Sequence, residues 1–190
     1  ETRFEFDPSG RLVKETLATG EKVSYTYNAR DLLAQVTNAR GQPRQFEYDA
    51  AGRQVSVTDP DGTVKFAYDN NGNVLTVSDS QGTITRTYDA LNRVTSYTEV
   101  NGNTLHYEYD AVGNLVALTY PDGKVVRYDY DVADQLVKVT DWAGHVTDYE
   151  YDKNGRLISE TRPNSTQMTR RYNVAGQLVQ QVEKDNRAEL

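Results

Sequence analysis

Cysteine is absent from the 190 residues, which excludes a disulfide framework and any zinc site built on thiolates while leaving the redox compartment open. No apolar run approaches the roughly 20 residues a membrane helix requires, and the opening "ETRFEFD" has no basic stretch followed by an apolar one. Basic residues are in deficit: 21 Lys and Arg against 28 Asp and Glu give a net charge of -7. The acids are scattered rather than gathered, and no basic groove stands out, which disfavours nucleic acid and anionic lipid as partners. Apolar bulk is scarce too. Four Phe, one Trp, 37% hydrophobic residues and a mean hydropathy of -0.75 suit a thin sheet better than a thick globular core.

What the chain does have is tyrosine, 14 of them, and they recur. An aromatic stands at Phe6, Tyr27, Tyr48, Tyr68, Tyr88, Tyr109, Tyr130, Tyr151 and Tyr172, at spacings of 20 or 21 residues, so nine units fill the chain with no linker between them. Asp or Asn follows each: Asp7, Asn28, Asp49, Asp69, Asp89, Asp110, Asp131, Asp152 and Asn173. Three residues further on stand Gly10, Asp31, Gly52, Gly72, Asn92, Gly113, Asp134, Gly155 and Gly176, all types that tolerate a positive φ. Asp-x-x-Gly is a type I turn signature in which the acid caps the turn and the glycine leaves it.

A second turn falls ten residues later, at Gly20, Gly41, Gly62, Gly82, Gly102, Gly123 and Gly144, with Ser165 and Asn186 as variants. In "DPDG" (59–62) Pro60 presets φ, and Gly62 is expected to take the left-handed conformation that closes a three-residue hairpin with a bulge. Between turns the residues alternate. In "VVRYDY" (125–130) Val126, Tyr128 and Tyr130 share one face, and Arg127 and Asp129 the other. In "LVKVT" (136–140) Val137 and Val139 are expected on one face, with Leu136 joining the polar side. Nine units of two strands make about 18 short antiparallel strands, a ribbon on the order of 85 Å long; so long a sheet is expected to curl. The 20-residue units lack one residue between the second glycine and the next Tyr, and bulges there are expected to absorb the change of parity.

The pattern Y-D-x-x-G-R/N-L followed by D-x-x-G, seen well in "YDKNGRLISETRPN" (151–164), resembles the YD repeat of Rhs proteins. That family includes bacterial polymorphic toxins, wall-associated proteins, Tc toxin C components and teneurins. The resemblance covers all nine units. It implies an all-β, repetitive antiparallel β-hairpin ribbon coiling into part of a spiral β-shell that encloses a C-terminal toxic domain until delivery. It also implies a secreted or cell-surface location. The self-cleaving core that follows the repeats in such proteins has no counterpart here, so autoproteolysis is carried over to no residue. Residues 1–190 then form a single array of 20–21-residue repeats, an excised segment of a longer chain whose partners are the rest of its own shell and the enclosed domain.

Each candidate site also has a structural reading. The aspartate columns resemble calcium ligands, with 59–62 the best of them, but each acid already has a turn to cap. Glu47, Glu108, Asp129 and Glu150 recur one residue before the Tyr and offer equal, solvated environments, unlike a glycosidase pair. His106 and His145 lie in different units and complete no triad. "NST" (164–166) fits a glycosylation acceptor. No catalytic residue, metal or cofactor is assigned, and the chain reads as a non-enzyme. The residues singled out are the repeat signature: Tyr27, Tyr48, Asp49, Gly52, Tyr68, Asp69, Gly72, Tyr88, Asp89, Tyr109, Asp110, Gly113, Tyr130, Asp131, Tyr151, Asp152, Gly155 and Tyr172. The tyrosine columns are expected to hold the ribbon by cross-strand stacking. Trp142, at a turn position, is a candidate ligand contact. The function expected is a structural shell segment that encapsulates or presents an effector domain. The alternative is a carbohydrate- or cell-surface-binding module using the aromatic face or turn row, with edge strands open to self-association.

Overall fold

The computed structural model describes residues 1–185 and contains eighteen β-strands and, among the described residues, no helix. Asn186, expected at a turn, lies outside the described residues. Two compact units divide the chain, Glu1–Asn103 and Thr104–Leu190. The first holds β1 Arg3–Phe6, β2 Leu12–Thr16, β3 Lys22–Tyr27, β4 Leu33–Thr37, β5 Pro43–Tyr48, β6 Gln54–Asp59, β7 Gly62–Tyr68, β8 Val74–Asp79, β9 Gly82–Tyr88 and β10 Val94–Thr98. The second holds β11 Thr104–Tyr109, β12 Leu115–Thr119, β13 Val125–Tyr130, β14 Leu136–Thr140, β15 Val146–Tyr151, β16 Leu157–Thr161, β17 Thr166–Tyr172 and β18 Leu178–Asp185. Within each unit every strand pairs antiparallel with the next in sequence.

The nine turns after the aromatic column form as their composition dictates. All nine residues of the glycine column have positive φ, including Asp31 at 61°, Asn92 at 62° and Asp134 at 58°. Most second turns are three-residue loops: Tyr120 N–H bonds Lys124 O at 2.8 Å, Gly123 N–H bonds Tyr120 O at 2.9 Å, and Gly123 has φ 80°.

The "DPDG" turn departs from this expectation. Asp59 pairs with Gly62 across a loop of only Pro60 and Asp61, and Gly62 lies at φ 142° rather than in the left-handed well. Asp79 and Gly82 repeat the arrangement, with Gly82 at 149°. These are the 20-residue units. The missing residue is taken from the loop, so six steps still separate the paired residue from the next Tyr, whether Gln42 to Tyr48 or Gly62 to Tyr68. The strand keeps its parity and needs no bulge at that edge.

The bulges stand at the other end of the unit, and in long and short units alike. Glu108 faces Ala117 but Tyr109 faces Leu115, which leaves Val116 extra; Asp129 faces Lys138 and Tyr130 faces Leu136, which leaves Val137 extra. This corrects the expected facing of the second strand. Leu136 lies opposite Tyr130 and so shares the aromatic face, because the bulge supplies the additional half-period.

Among the described residues there is no thick core. The buried positions described are few: Ala117, at 1% exposure, with Val126, Met168, Ser56 and Ser159, and no large side chain among the described residues is completely enclosed. Ser56 sits between Glu47 and Lys65, and Ala117 between Glu108 and Arg127. Long charged side chains therefore cover small ones on the polar face.

Candidate functional site

The chemistry of each unit gathers around its Tyr. Tyr27 donates its hydroxyl to the carbonyl of Leu12 at 2.9 Å, and Tyr48 to Leu33 at 2.9 Å. Tyr68 reaches Gln54 at 2.7 Å, Tyr88 reaches Val74 at 2.9 Å and Tyr130 reaches Leu115 at 3.0 Å. Tyr151 and Tyr172 bond Leu136 and Leu157 at 2.8 and 3.0 Å. Each acceptor is the residue at the bulge of the preceding hairpin, which is where the ladder is interrupted and a carbonyl needs another partner. Tyr109 holds the same place on β11, opposite Leu115.

Among the described residues these columns are joined through their hydroxyls rather than by the expected ring stacking. Equivalent tyrosines lie two strands apart, about 9.6 Å, beyond the 4.5–7 Å at which rings interact. Directly across the ladder, Tyr128 meets Val139 and Tyr130 meets Leu136, so each ring packs on an aliphatic neighbour.

The turn acids cap as their spacing suggests. Asp110 Oδ1 accepts the main-chain N–H groups of Val112, Gly113 and Asn114 at 3.1, 2.7 and 2.8 Å. Asp49, Asp69, Asp89, Asp131 and Asp152 hold their own turns in the same way, and Gly52, Gly72, Gly113 and Gly155 leave those turns at positive φ. Asp49 is held below the ordinary aspartate value, first by the Arg53 N–H and then by its guanidinium; for Asp69 the Asn73 side-chain amide leads.

A third participant stands at the R/N position of the motif, at the turn exit. Arg53 Nε donates to Asp49 Oδ2 at 2.7 Å, its Nη1 reaches Asp69 O at 2.7 Å in the next turn, and its Cζ lies 4.8 Å from the Tyr68 ring centroid. One side chain thus ties its own turn to the next turn and the next Tyr. Arg156 repeats this with Asp152, Asn173 and Tyr172, and Arg11 with Asp7, Asp31 and Tyr27. Asn73 and Asn114 reach the following repeat by donating side-chain amide hydrogen bonds to Asn92 Oδ1 at 2.7 Å and Asp134 Oδ1 at 3.1 Å. The signal that finds this column is its basic or amide character on an otherwise variable turn exit.

The teneurin YD-shell family model matches residues 63–190. The chain belongs to the YD-shell family. The RHS repeat model matches residues 6–43 and 27–64 of the same YD-shell array. No curated protein matches the sequence. Among solved structures, TcdB2-TccC3-TEV aligns with a TM-score of 0.72 at 18% identity over 96% of this chain, and TcdB2-TccC3 with 0.72 at 16% over 97%. The Photorhabdus luminescens Tc holotoxin pore aligns with 0.56 at 16% over 96%. The likeness is one of fold, and this YD-shell chain spans 11% of each of the first two and 12% of the third.

The remaining candidates fall outside the interlock. Glu47, Glu108, Asp129 and Glu150 face Ser56, Ala117, Lys138 and Ser159 on the polar side of the sheet. His145 Nδ1 lies 2.9 Å from Asp141 Oδ2, while His106 sits opposite Thr119. Asp59 is taken up by Arg44 at 2.8 Å. Trp142 is 55% exposed, edge-to-face with Tyr120 at 6.1 Å and with Lys124 Nζ 5.4 Å from its ring centroid.

Proposed function

We propose that residues 1–190 are a non-catalytic wall segment of a YD-repeat shell, coiling with further repeats of a longer polypeptide to enclose or present an effector domain outside this stretch. The observation that carries this reading is the Tyr-to-bulge hydrogen bond, which within each of the two compact units fastens one hairpin to the one before it. A ribbon held from unit to unit extends by addition and can close over a volume without a core of its own. The turn acids support a structural role as well, since their oxygens are spent on main-chain N–H groups and on the Arg or Asn of their own turn. The fold neighbours are toxin assemblies, one of them a Tc holotoxin pore, and the same kind of work is assigned here, in a secreted or cell-surface setting.

The test uses the full-length polypeptide. Protease should leave the domain beyond the repeats intact while the shell is closed. It should cleave that domain when Tyr130, Tyr151 and Tyr172 are changed together to Phe. Equal digestion of both forms would refute enclosure.

A further inference from the structure

Three clefts between successive second turns can be compared among the described residues, and one differs from the other two. The cleft of about 390 Å³ beside Arg44 has that cation neutralised by Asp59. The one beside Thr63, about 350 Å³, is lined by three aspartates and no cation. The third, about 510 Å³ and within the range of small-ligand sites, lies between the β12–β13 and β14–β15 loops. Its wall is Trp142, the single tryptophan of the chain, steadied by Tyr120 and Lys124 with more than half its surface still open.

The charges in this cleft sort themselves. Lys124 pairs with Asp122 at 2.7 Å, and Asp141 is engaged by His145 and by the N–H groups of Ala143 and His145. Arg127 is exposed, projects from β13 on the side away from Tyr128, and has no carboxylate partner among the described residues. A planar donor fork lining the same cleft as a half-exposed indole suits a flat-faced ring bearing a carboxylate.

We propose that this cleft binds a carboxylate-bearing sugar residue of the uronic acid type, its ring on Trp142 and its carboxylate on Arg127. The site is independent of the wall function, since none of the Tyr-to-bulge bonds passes through it.

Trp142 emission reports on this site alone, because no other tryptophan competes. Titration of residues 1–190 with a galacturonate hexasaccharide should give a saturable change, against a response about tenfold weaker with a neutral hexasaccharide of glucose. Arg127→Gln should bring the acidic ligand down to the neutral one, with circular dichroism unchanged. Calorimetry on Trp142→Ala should show binding lost. No saturable response to the galacturonate, equal responses to the two sugars, or full binding by Arg127→Gln would each overturn the proposal and leave the shell reading untouched.

Discussion

Tyr130 donates its hydroxyl to the main-chain oxygen of Leu115, 3.0 Å away and fifteen residues earlier in the chain. The ring two positions before it, Tyr128, shares the face and the strand but makes no such bond, and meets Val139 instead. The pair separates what a tyrosine contributes as an apolar ring from what it contributes as a donor. Tyr130→Phe should cost about 1 kcal/mol in denaturant unfolding, with Tyr128→Phe within about 0.5 kcal/mol of the parent. Equal losses would mean that the hydroxyl is not the tie.

Acid should loosen the turns. Asp7, Asp49, Asp69, Asp89, Asp110 and Asp152 all have folded pKa values below the ordinary one. Their contribution is complete above the unfolded value of about 3.9 and is lost as the pH falls through the lower folded values. The melting temperature should therefore be level from pH 7 to about 4.5 and drop below that. Asp49→Asn and Asp152→Asn should lower the melting temperature at pH 7 and flatten the acid limb. A steeper limb in the variants would contradict the assignment.

Two glycines with nearly the same backbone should respond differently to a methyl group. A Cβ on Gly82 would run into Val100, whereas one on Gly62 meets open space, and both positions have φ that L-residues rarely adopt. Gly62→Ala is expected to cost about 1–2 kcal/mol in thermal or urea unfolding, and Gly82→Ala about 1–2 kcal/mol more.

The short loops make a prediction about insertion. A single Gly added between Asp61 and Gly62 recreates the three-residue loop seen at 120–124 and should change stability by less than about 1 kcal/mol. One residue added between Phe66 and Ala67 reverses the faces of half of β7 and should cost more than about 3 kcal/mol. Comparable losses from both would show that parity is not kept in the loop.

The repeat period, both turns of most units and the aromatic face of the first strands were legible because each rests on a local rule: a glycine for positive φ, an acid for a cap, alternation for a strand. Leu136 was misplaced because the bulge beside it is set by its pairing with Tyr130, which no window of sequence displays. "DPDG" misled for a related reason: its composition suits several turns, and the loop length is decided by the strand on either side. The Arg53 and Arg156 tethers reach into the following unit, a distance of about one repeat that side-chain spacing within a motif does not reveal. The turn position marks Trp142 as exposed, but Arg127, with no carboxylate partner among the described residues, shares its cleft only because two neighbouring turns stand together.

Enclosure is tested most directly by electron cryomicroscopy of the full-length polypeptide that carries these repeats. The structure should place residues 1–190 in the wall of a closed cavity with density for the effector domain inside it. An open ribbon, with that domain outside and accessible, would contradict the account.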